Sequence, residues 1–293
     1  MNKRMMLIIN PMSGRGLSKT ALGSIVSNLC EVDYIVTVFF SHEKNPEELA
    51  LEYSKGHDLV VCVGGDGTLS GVISGLLQAG VKIPVGYIPT GTSNDVATTL
   101  ALTKDPSAAA KKIIGGTPTP LDIGLFGERY FTYIAAFGAF TGVSYNTPQS
   151  AKQSLGHLAY VFGGLAEVAA IVPRRTIVRY DDNVIEGEFI FGGVINSTSV
   201  AGLVKLNPNR VDLADGEFEV VLVRQPVVLA DYAEILTSLV MQTYEGDNFI
   251  MLHAKTVSFD FEEEVAWTVD GEDGGKHKNV DIKIKSHAIE IVL

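Results

Sequence analysis

Three short apolar runs in the first third of the chain each end in a polar loop that contains glycine. They have the length and composition of buried strands, and stretches with helical spacing lie between them. Strands that alternate with helices predict a layered α/β domain with a mainly parallel sheet, whose polar loops meet at one edge. The runs and their loops are Met6–Asn10 with Asn10–Gly14, Leu59–Val63 with Gly64–Gly67, and Pro84–Ile88 with Gly91–Asp95.

After residue 122 the pattern changes to short strands separated by turns, which indicates mostly antiparallel β-structure. A hairpin that turns at Gly127 comes first, and two helices are predicted later, over Ala151–Ile171 and Val228–Tyr244. We therefore predict an α/β plus β protein with one domain over residues 1–124 and another over residues 125–293. Helices predicted in the first domain are Glu47–Ser54, Thr68–Gln78 and a segment from Pro106 to Gly115.

The composition limits the partners of such a chain. Its 293 residues suit two domains better than one core. The formal net charge of −11 excludes nucleic acid as a partner, because a nucleic-acid binder needs clustered cations. No apolar run reaches the roughly 18 residues that a membrane-spanning helix requires. Two cysteines outside any CxxC pair predict no disulfide framework, so we expect a cytoplasmic protein.

The loop Gly64-Gly65-Asp66-Gly67 has the composition of a phosphate-binding loop. Its glycines let the backbone approach a phosphate, and Thr68 begins a helix whose N-terminus favours an anion. Asp66 adds negative charge, which fits a phosphate site only if a divalent cation bridges the carboxylate and the phosphate. The loop lacks the lysine of a Walker A motif and the spacing of a dinucleotide fingerprint. An ordinary glycine turn is the alternative interpretation.

The other two loops carry the same kinds of polar group. Asn10 and Ser13 offer an amide and a hydroxyl in the loop after the first run, and Asn94 and Asp95 follow the run Pro84–Ile88. Simple helix capping is the alternative role for Asn94 and its neighbours. Because the three loops share one sheet edge, together they predict a ligand site there.

These loops resemble the three nucleotide motifs of the diacylglycerol kinase catalytic domain family, which includes sphingosine, ceramide and bacterial lipid kinases. The motifs are Asn10-Pro11-x-Ser13-Gly14, Gly64-Gly65-Asp66-Gly67-Thr68 and Gly91-Thr92-x-Asn94-Asp95. Four segments of the second half are similar to the soluble bacterial, Gram-positive type of this family: Val143–Pro148, Asp212–Phe218, Val269–Glu272 and Asp270–Lys276. The resemblance therefore covers nearly the whole chain.

The resemblance implies an ATP site in a cleft between the α/β domain and a C-terminal antiparallel β-sandwich. It also implies that the last strand can return toward the first domain. It places the nucleotide contacts on the three loops and on Ser41, which follows a further predicted strand, Asp33–Phe40. The residues at those positions are Asn10, Pro11, Met12, Ser13, Gly14, Ser41, Gly65, Gly67, Thr68, Leu69, Ser70, Gly71, Thr92 and Asn94.

The resemblance also implies two Mg²⁺ sites and a general base. Acidic positions for a catalytic Mg²⁺ fall on Asp66, Asp95 and Asp122, with Asp66 and Asp95 counted among the catalytic residues. A structural Mg²⁺ falls on Asp215 with backbone groups of Asp212 and Glu217. Glu272 falls on the general base. From the residues alone, Asp215 and Glu272 are ordinary turn residues, and that alternative stays open.

The function implied is an ATP-dependent lipid kinase that phosphorylates the hydroxyl of diacylglycerol to give phosphatidic acid. Transient peripheral contact with the inner face of the membrane follows from such a substrate, and a homodimer is left open. The alternatives are another lipid alcohol such as phosphatidylglycerol or a sphingoid base, then an NAD kinase, then a non-catalytic nucleotide-binding regulator.

Overall fold

The computed structural model describes residues 3–14, 18–31, 34–138, 171–200, 204–207, 211–244 and 246–293. The predicted helix Ala151–Ile171 and the motif Val143–Pro148 lie outside these ranges, apart from Ile171 itself, which follows the second gap. All residues predicted to form the active site lie within them.

The first four strands form a parallel sheet in the order β4-β3-β1-β2. In the central strand, Leu7 pairs with Val38 of β2 and with Val61 of β3. The predicted parallel arrangement of these strands is therefore confirmed. Their bounds are β1 (Lys3–Ile9), β2 (Tyr34–Phe40), β3 (Leu59–Gly64) and β4 (Val85–Pro89).

Helices cover both faces of this sheet. Successive side chains of a strand point to opposite faces, so Leu7 packs in one apolar cluster with α1 and α5, and Ile8 packs in another with α2 and α3. The first domain is therefore a three-layered α/β structure. Its helices are α1 (Lys19–Leu29), α2 (Pro46–Tyr53), α3 (Asp66–Ala79), α4 (Asp95–Thr99) and α5 (Pro106–Gly115).

Helix positions were predictable where capping residues mark them. Asn45 is the N-cap of α2, because its side chain accepts a hydrogen bond from the Glu48 amide at 2.9 Å and the Glu48 carboxylate accepts one from the Asn45 amide. The predictions for α2, α3 and α5 are confirmed to within two residues. Helix α1 was not predicted, although Ser18 caps it by accepting a hydrogen bond from Ala21.

The second half is mainly antiparallel, as predicted. Its one helix within the described ranges, α6 (Leu229–Met241), confirms the predicted segment Val228–Tyr244. None of the helices in those ranges is long and apolar enough to cross a membrane. The strands are β5 (Pro118–Phe126), β6 (Arg129–Phe131), β7 (Ile134–Gly138), β8 (Arg174–Tyr180), β9 (Asn183–Ile195), β10 (Ser199–Val200), β11 (Val204–Lys205), β12 (Phe218–Arg224), β13 (Phe249–Ala254), β14 (Thr256–Val269) and β15 (Glu272–Val292).

Three long strands, β9, β14 and β15, organise this half. Strands β7 and β8 both lie between β9 and β14, but they pair with opposite ends of them. An aromatic cluster forms the core there, in which the Trp267 ring lies 5.1 Å from Phe137 and 5.2 Å from Phe259 between ring centroids. Trp267 is almost fully buried at the centre of this core.

Strand β15 joins the two halves into one sheet. It pairs with β14 near its start and with β5 along its second half, and Ile291 near its end pairs in parallel with Val85 of β4. The last strand therefore does return to the first domain, which the resemblance had left open. Strand β5 includes residue 124, so the predicted boundary falls inside a strand that faces β15.

Candidate active site

The loops after β1, β3 and β4 meet at the carboxyl edge of the parallel sheet, backbone against backbone. A Cβ added to Gly14, where φ is +60°, would lie 2.2 Å from the carbonyl oxygen of Thr90. A Cβ added to Gly91 would lie 2.5 Å from the Cα of Gly65. Real Cβ atoms do not approach other atoms so closely, so glycine at these positions is what allows the loops to converge.

Asn10 links the first loop to the glycine loop. Its side-chain nitrogen donates to Thr68 Oγ1 at 3.1 Å, and its side-chain oxygen accepts from the Met12 amide at 3.0 Å. Both Asn10 and Thr68 were predicted to contact the nucleotide. Within this structure their side chains hold two loops together, which fixes the shape of the predicted nucleotide site.

Asn94 does the same for the third loop. The residue adopts the left-handed conformation at φ +52°, which asparagine tolerates better than most residues. Its side chain donates to the Gly91 carbonyl at 2.8 Å and accepts from the Gly91 amide at 2.9 Å. The Tyr87 hydroxyl adds a longer contact at 3.3 Å. Asn94 is buried, and its side chain holds this loop in its bent conformation, whereas the predicted contact with the nucleotide stays a prediction.

The N-terminus of α3 supplies the anion-binding part of the site. The N-cap is Gly65, which has no side chain. The first backbone amides of this 14-residue helix therefore receive no capping hydrogen bond from the N-cap side chain. The start of α3 thus suits an anion such as a phosphate group. Of the other predicted contacts in the first and third loops, Met12 is 80% exposed and Thr92 is exposed, whereas Ser13 is buried.

Three of the predicted nucleotide contacts have other neighbours in the structure. Leu69 is fully buried in the apolar cluster beneath the glycine loop, so it cannot touch a nucleotide in this conformation. The Ser70 hydroxyl donates to Asp270 Oδ2 at 2.6 Å and so faces the second half of the chain. Ser41 lies against the end of β1, where its amide donates to the Ile9 carbonyl at 3.0 Å.

Asp66 and Asp95 lie together at the base of the site. The Asp66 carboxylate accepts hydrogen bonds from the amides of Asp95 at 3.0 Å and Val96 at 3.1 Å, so it also caps α4. The Asp95 carboxylate accepts from the Ser199 hydroxyl at 2.7 Å. Burial raises the pKa of Asp66 to about 6, although the two backbone hydrogen bonds act in the opposite direction.

These two carboxylates fit a Mg²⁺ ion only as part of its coordination shell. Carboxylate oxygens are suitable ligands, but no group of three or more His, Cys, Asp or Glu side chains in the described ranges is close enough to hold a metal. Mg²⁺ commonly takes one or two carboxylates and completes its shell with water and substrate phosphates. The donor set therefore suits a Mg²⁺ that arrives with a nucleotide.

Asp122 is not part of that pair. It is fully buried, and its two oxygens accept hydrogen bonds from the amides of Gly216 at 2.7 Å and His287 at 2.6 Å. No group of three acidic side chains in the described ranges is close enough to hold a metal directly, so a part for Asp122 in a Mg²⁺ site beside Asp66 and Asp95 stays a prediction. Asp122 fastens the loop over residues 212–217 to an irregular part of β15, where His287 has φ +49°.

The acidic loop that was predicted to hold a structural Mg²⁺ is built from turns. Asp212 accepts a hydrogen bond from the Ala214 amide at 3.0 Å, and Asp215 accepts one from the Glu217 amide at 2.9 Å. These contacts are the turn roles that the sequence left open. Asp212, Asp215 and Glu217 do not form a metal-ligating group by themselves, so the structural Mg²⁺ stays a prediction.

Asp270 connects the two halves of the chain across the cleft. It is buried, with φ +50°, and Ser70 of α3 donates to its Oδ2. The same oxygen accepts from the Thr132 amide at 2.7 Å, and Oδ1 accepts from the amides of Tyr133 at 3.0 Å and Ile134 at 3.2 Å. These bonds fix the turn between β14 and β15, the turn that carries Glu272.

Glu272 reaches from that turn into the cleft. A Cβ added to Gly67 would lie 3.4 Å from Glu272 Oε1, so this oxygen faces the glycine loop. The other oxygen, Oε2, accepts a hydrogen bond from Arg129 at 2.9 Å. The cleft has a volume of about 530 Å³ and is lined by residues of α2, α3, the β5–β6 turn and the β14–β15 turn, including Gly67, Ser70, Gly71, Arg129, Asp270 and Glu272.

Sequence reasoning missed three residues of this site. Arg129, Ser199 and the linking role of Asp270 carried no signal of their own. Asp270 lies in the same short motif as Glu272, so its motif could have drawn attention to it. Arg129 and Ser199 are far from their partners along the chain, and only the folded structure brings them together.

Two family models match the chain. The model described as "Diacylglycerol kinase catalytic domain" matches residues 4–126, which hold the three loops. The model described as "YegS C-terminal NAD kinase beta sandwich-like domain" matches residues 138–293, which hold Glu272. The cleft therefore lies between the segments that the two models match.

Curated relatives match over almost the full length. A diacylglycerol kinase of Staphylococcus saprophyticus is 32% identical over 292 residues, covering 98% of this chain and 94% of the relative. A diacylglycerol kinase of Bacillus subtilis is 30% identical over 298 residues, covering 99% and 96%. The crystal structure of a diacylglycerol kinase from Bacillus anthracis superimposes with a TM-score of 0.76 at 21% identity, covering 99% and 96% of the two chains, and shows that the fold is shared.

Proposed function

Because this chain belongs to the diacylglycerol kinase family of enzymes, we propose that it transfers the γ-phosphate of ATP to the hydroxyl of diacylglycerol and so forms phosphatidic acid. The observation that carries this proposal is the position of Glu272. One of its carboxylate oxygens faces Gly67 of the glycine loop, in a cleft that is lined by residues of both halves of the chain. A base at that place is close to where the loop would hold a phosphate group.

The proposed reaction needs three things from the protein, which are binding of the phosphates, alignment of the acceptor and removal of its proton. The amides at the start of α3 bind the phosphates, because they have no side-chain cap. Glu272 takes the proton from the acceptor hydroxyl, and the hydroxyl oxygen of the acceptor forms a bond to the γ-phosphorus. The bond between that phosphorus and the bridging oxygen of ADP then breaks.

Asp66 and Asp95 are the residues that would hold Mg²⁺, and the ion would neutralise charge on the phosphates. Both carboxylates are fixed before any ion binds. Asp66 is held by two backbone amides and Asp95 by the Ser199 hydroxyl. We expect this preorganisation to matter more than the number of ligands, since the water and phosphate oxygens complete the shell.

The acceptor is dissolved in a membrane, so the enzyme must meet the bilayer surface. We propose transient peripheral contact at the inner membrane face, together with a cytoplasmic location. With a net charge of −11, the chain cannot be held on anionic lipid by overall charge, so the contact would be local. Flotation with diacylglycerol-containing vesicles tests this, and binding that requires diacylglycerol is the expected result.

The experiment that tests the proposed function is a transfer assay with radiolabelled ATP across a panel of acceptors. The panel contains diacylglycerol, phosphatidylglycerol, sphingosine, ceramide and NAD. Label in phosphatidic acid is the expected result. Label in another lipid would keep the lipid-kinase chemistry and change the acceptor, whereas label in NADP alone would overturn the proposal. Thermal stabilisation by Mg-ATP without transfer to any acceptor would indicate a nucleotide-binding regulator.

A further inference from the structure

Arg129 lies beside Glu272 although it comes from a different part of the chain. It is the first residue of β6 and follows the tight turn of the β5–β6 hairpin. Its guanidinium contacts the β14–β15 turn at three points. Nη1 donates to the Asp273 carbonyl at 2.8 Å, and Nη2 donates to Glu272 Oε2 at 2.9 Å, with a longer contact to the Val269 carbonyl at 3.5 Å. Arg129 therefore spans both ends of the turn that carries Glu272.

The two oxygens of Glu272 have different neighbours. Oε2 is held by Arg129, whereas Oε1 faces Gly67 at the start of α3. The side chain of Glu272 is 65% exposed, so packing alone does not fix its rotamer. An ion pair with this exposure contributes little to folding stability, because water screens both charges. What the pair does fix is the direction of the carboxylate.

The shape of the arginine side chain matters for this arrangement. A guanidinium is planar and donates in two parallel directions, so one nitrogen can bind the backbone of the turn while another binds the carboxylate. A lysine ammonium is a compact charge on a flexible stem and does not impose the same plane. The Asp273 carbonyl anchors Arg129 to the turn, and Glu272 is oriented against that anchored group.

We propose that Arg129 is a positioning residue for Glu272, which holds Oε2 so that Oε1 stays directed at the glycine loop. This role rests on the proposed function, in which Oε1 takes the proton from the acceptor hydroxyl. Arg129 itself does not touch the reacting atoms in this arrangement. It acts by keeping the base in the geometry that reaction requires, where a displacement of about 1 Å can cost about 100-fold in rate.

The first test replaces Arg129 with glutamine and measures transfer from ATP to diacylglycerol in mixed micelles. We expect kcat to fall on the order of 10-fold to 100-fold, while KM for ATP and for diacylglycerol changes less than about 3-fold. Arg129→Lys should recover only part of kcat, because it restores the charge without the planar fork. Circular dichroism and thermal unfolding should match those of the parent protein.

Arg175→Gln is the matched control for that substitution. Arg175 forms a similar exposed ion pair, with Nη2 at 3.0 Å from Glu186 Oε1, on the strand pair β8–β9. Its side chain is 58% exposed, against 40% for Arg129. Because this pair lies outside the cleft lining, Arg175→Gln should leave kcat unchanged.

A double-mutant cycle separates positioning from a general structural role. If Arg129 acts only through Glu272, Arg129→Gln should cause no further loss of kcat in a Glu272→Gln background. Equal losses in both backgrounds would overturn the proposal, as would full activity of Arg129→Gln beside an inactive Glu272→Gln. Full activity of Glu272→Gln itself would remove the base from the proposed function, and the role of Arg129 with it.

Discussion

Gly67 of the glycine loop faces Glu272, which belongs to the other half of the cleft. Apart from its chain neighbours and the backbone of its own helix, the only atom within 4 Å of a Cβ built there is Glu272 Oε1, at 3.4 Å. The position is in the first turn of α3, so its backbone is helical and an alanine can adopt it. A methyl group at this residue would therefore occupy the space between the glycine loop and the proposed base, and it would leave the fold intact.

This geometry predicts that Gly67→Ala separates activity from stability. The free energy of unfolding should stay the same or rise by up to about 1 kcal/mol, since alanine has the higher helix propensity. The rate of phosphate transfer should fall on the order of 10-fold or more, because the methyl would fill the space between the glycine loop and Glu272 in which the proposed reaction places the phosphate. Urea denaturation and the diacylglycerol assay check the two parts. A fully active variant would contradict the placement of Glu272 over the loop.

Glu219 is the least compensated acid of the described residues. It is only 2% exposed, and its Oε2 has no hydrogen-bond partner. His253 on the neighbouring strand lies 3.9 Å from its other oxygen. Burial, together with the nearby carboxylates of Asp215 and Asp212, raises the pKa of Glu219 from the ordinary 4.5 to about 8.

A pH-dependent stability difference follows from that pKa. Between about pH 4.5 and pH 8 the unfolded chain has lost this proton while the folded protein keeps it, so stability falls as the pH rises. Glu219→Gln removes this effect. The melting temperature of Glu219→Gln minus that of the parent protein should therefore increase between about pH 5 and about pH 9. The corresponding change in the free energy of unfolding is a few kcal/mol at most. A difference that does not vary with pH would contradict the raised pKa.

At the residue scale, the sequence predicted where polar groups gather better than what each group does. Asn10 and Asn94 were predicted to bind the nucleotide, and the structure shows that their side chains hold the loops. Both roles need a polar side chain at the same place in a short loop, so spacing cannot separate them. Leu69 was wrongly included because its motif neighbours line the site, whereas its own side chain faces the core.

At the scale of elements, β15 is the feature that unites the molecule. It begins at Glu272 in the cleft and ends at Val292, where it adds to the parallel sheet beside β4. The sequence left this return open, because pairing partners so distant along the chain leave no local pattern. Helix α1 was missed for a related reason, since Ser18 is a weak cap signal and the helix carries no acidic residue in its first turn.

The junction predicts a contrast between two neighbouring residues at the end of the chain. Ile291 is fully buried and pairs with Val85, whereas Leu293 is 39% exposed. Ile291→Ala should lower the free energy of unfolding by about 2–5 kcal/mol. Leu293→Ala should change it by less than about 0.5 kcal/mol. Equal effects in urea denaturation would contradict the insertion of β15 into the sheet.

At the scale of the whole molecule, the active site depends on the two halves together. The parallel sheet supplies the three loops and the aspartates, and the antiparallel half supplies Glu272, Arg129 and the linking residue Asp270. The general architecture was predictable because strand–helix alternation and then turn-rich strands are strong patterns. The contacts across the cleft were not, since Ser70 and Asp270 lie 200 residues apart in the sequence.

The net charge of −11 also has a different meaning at this scale. Part of the acidic excess is buried and structural, as at Asp122 and Asp270, and part forms the proposed Mg²⁺ site at Asp66 and Asp95. The acidic composition is therefore compatible with binding of a triphosphate, provided that the ion arrives with the nucleotide.

The most direct measurement of the central claim is the rate of phosphatidic acid formation by Glu272→Gln, with Glu264→Gln as an exposed control outside the cleft lining. We predict that Glu272→Gln lowers kcat at least on the order of 100-fold with an unchanged melting temperature, because glutamine cannot take the proton from the acceptor hydroxyl. Glu264→Gln should keep the parent rate. Phosphatidic acid formed at the parent rate by Glu272→Gln would contradict the account.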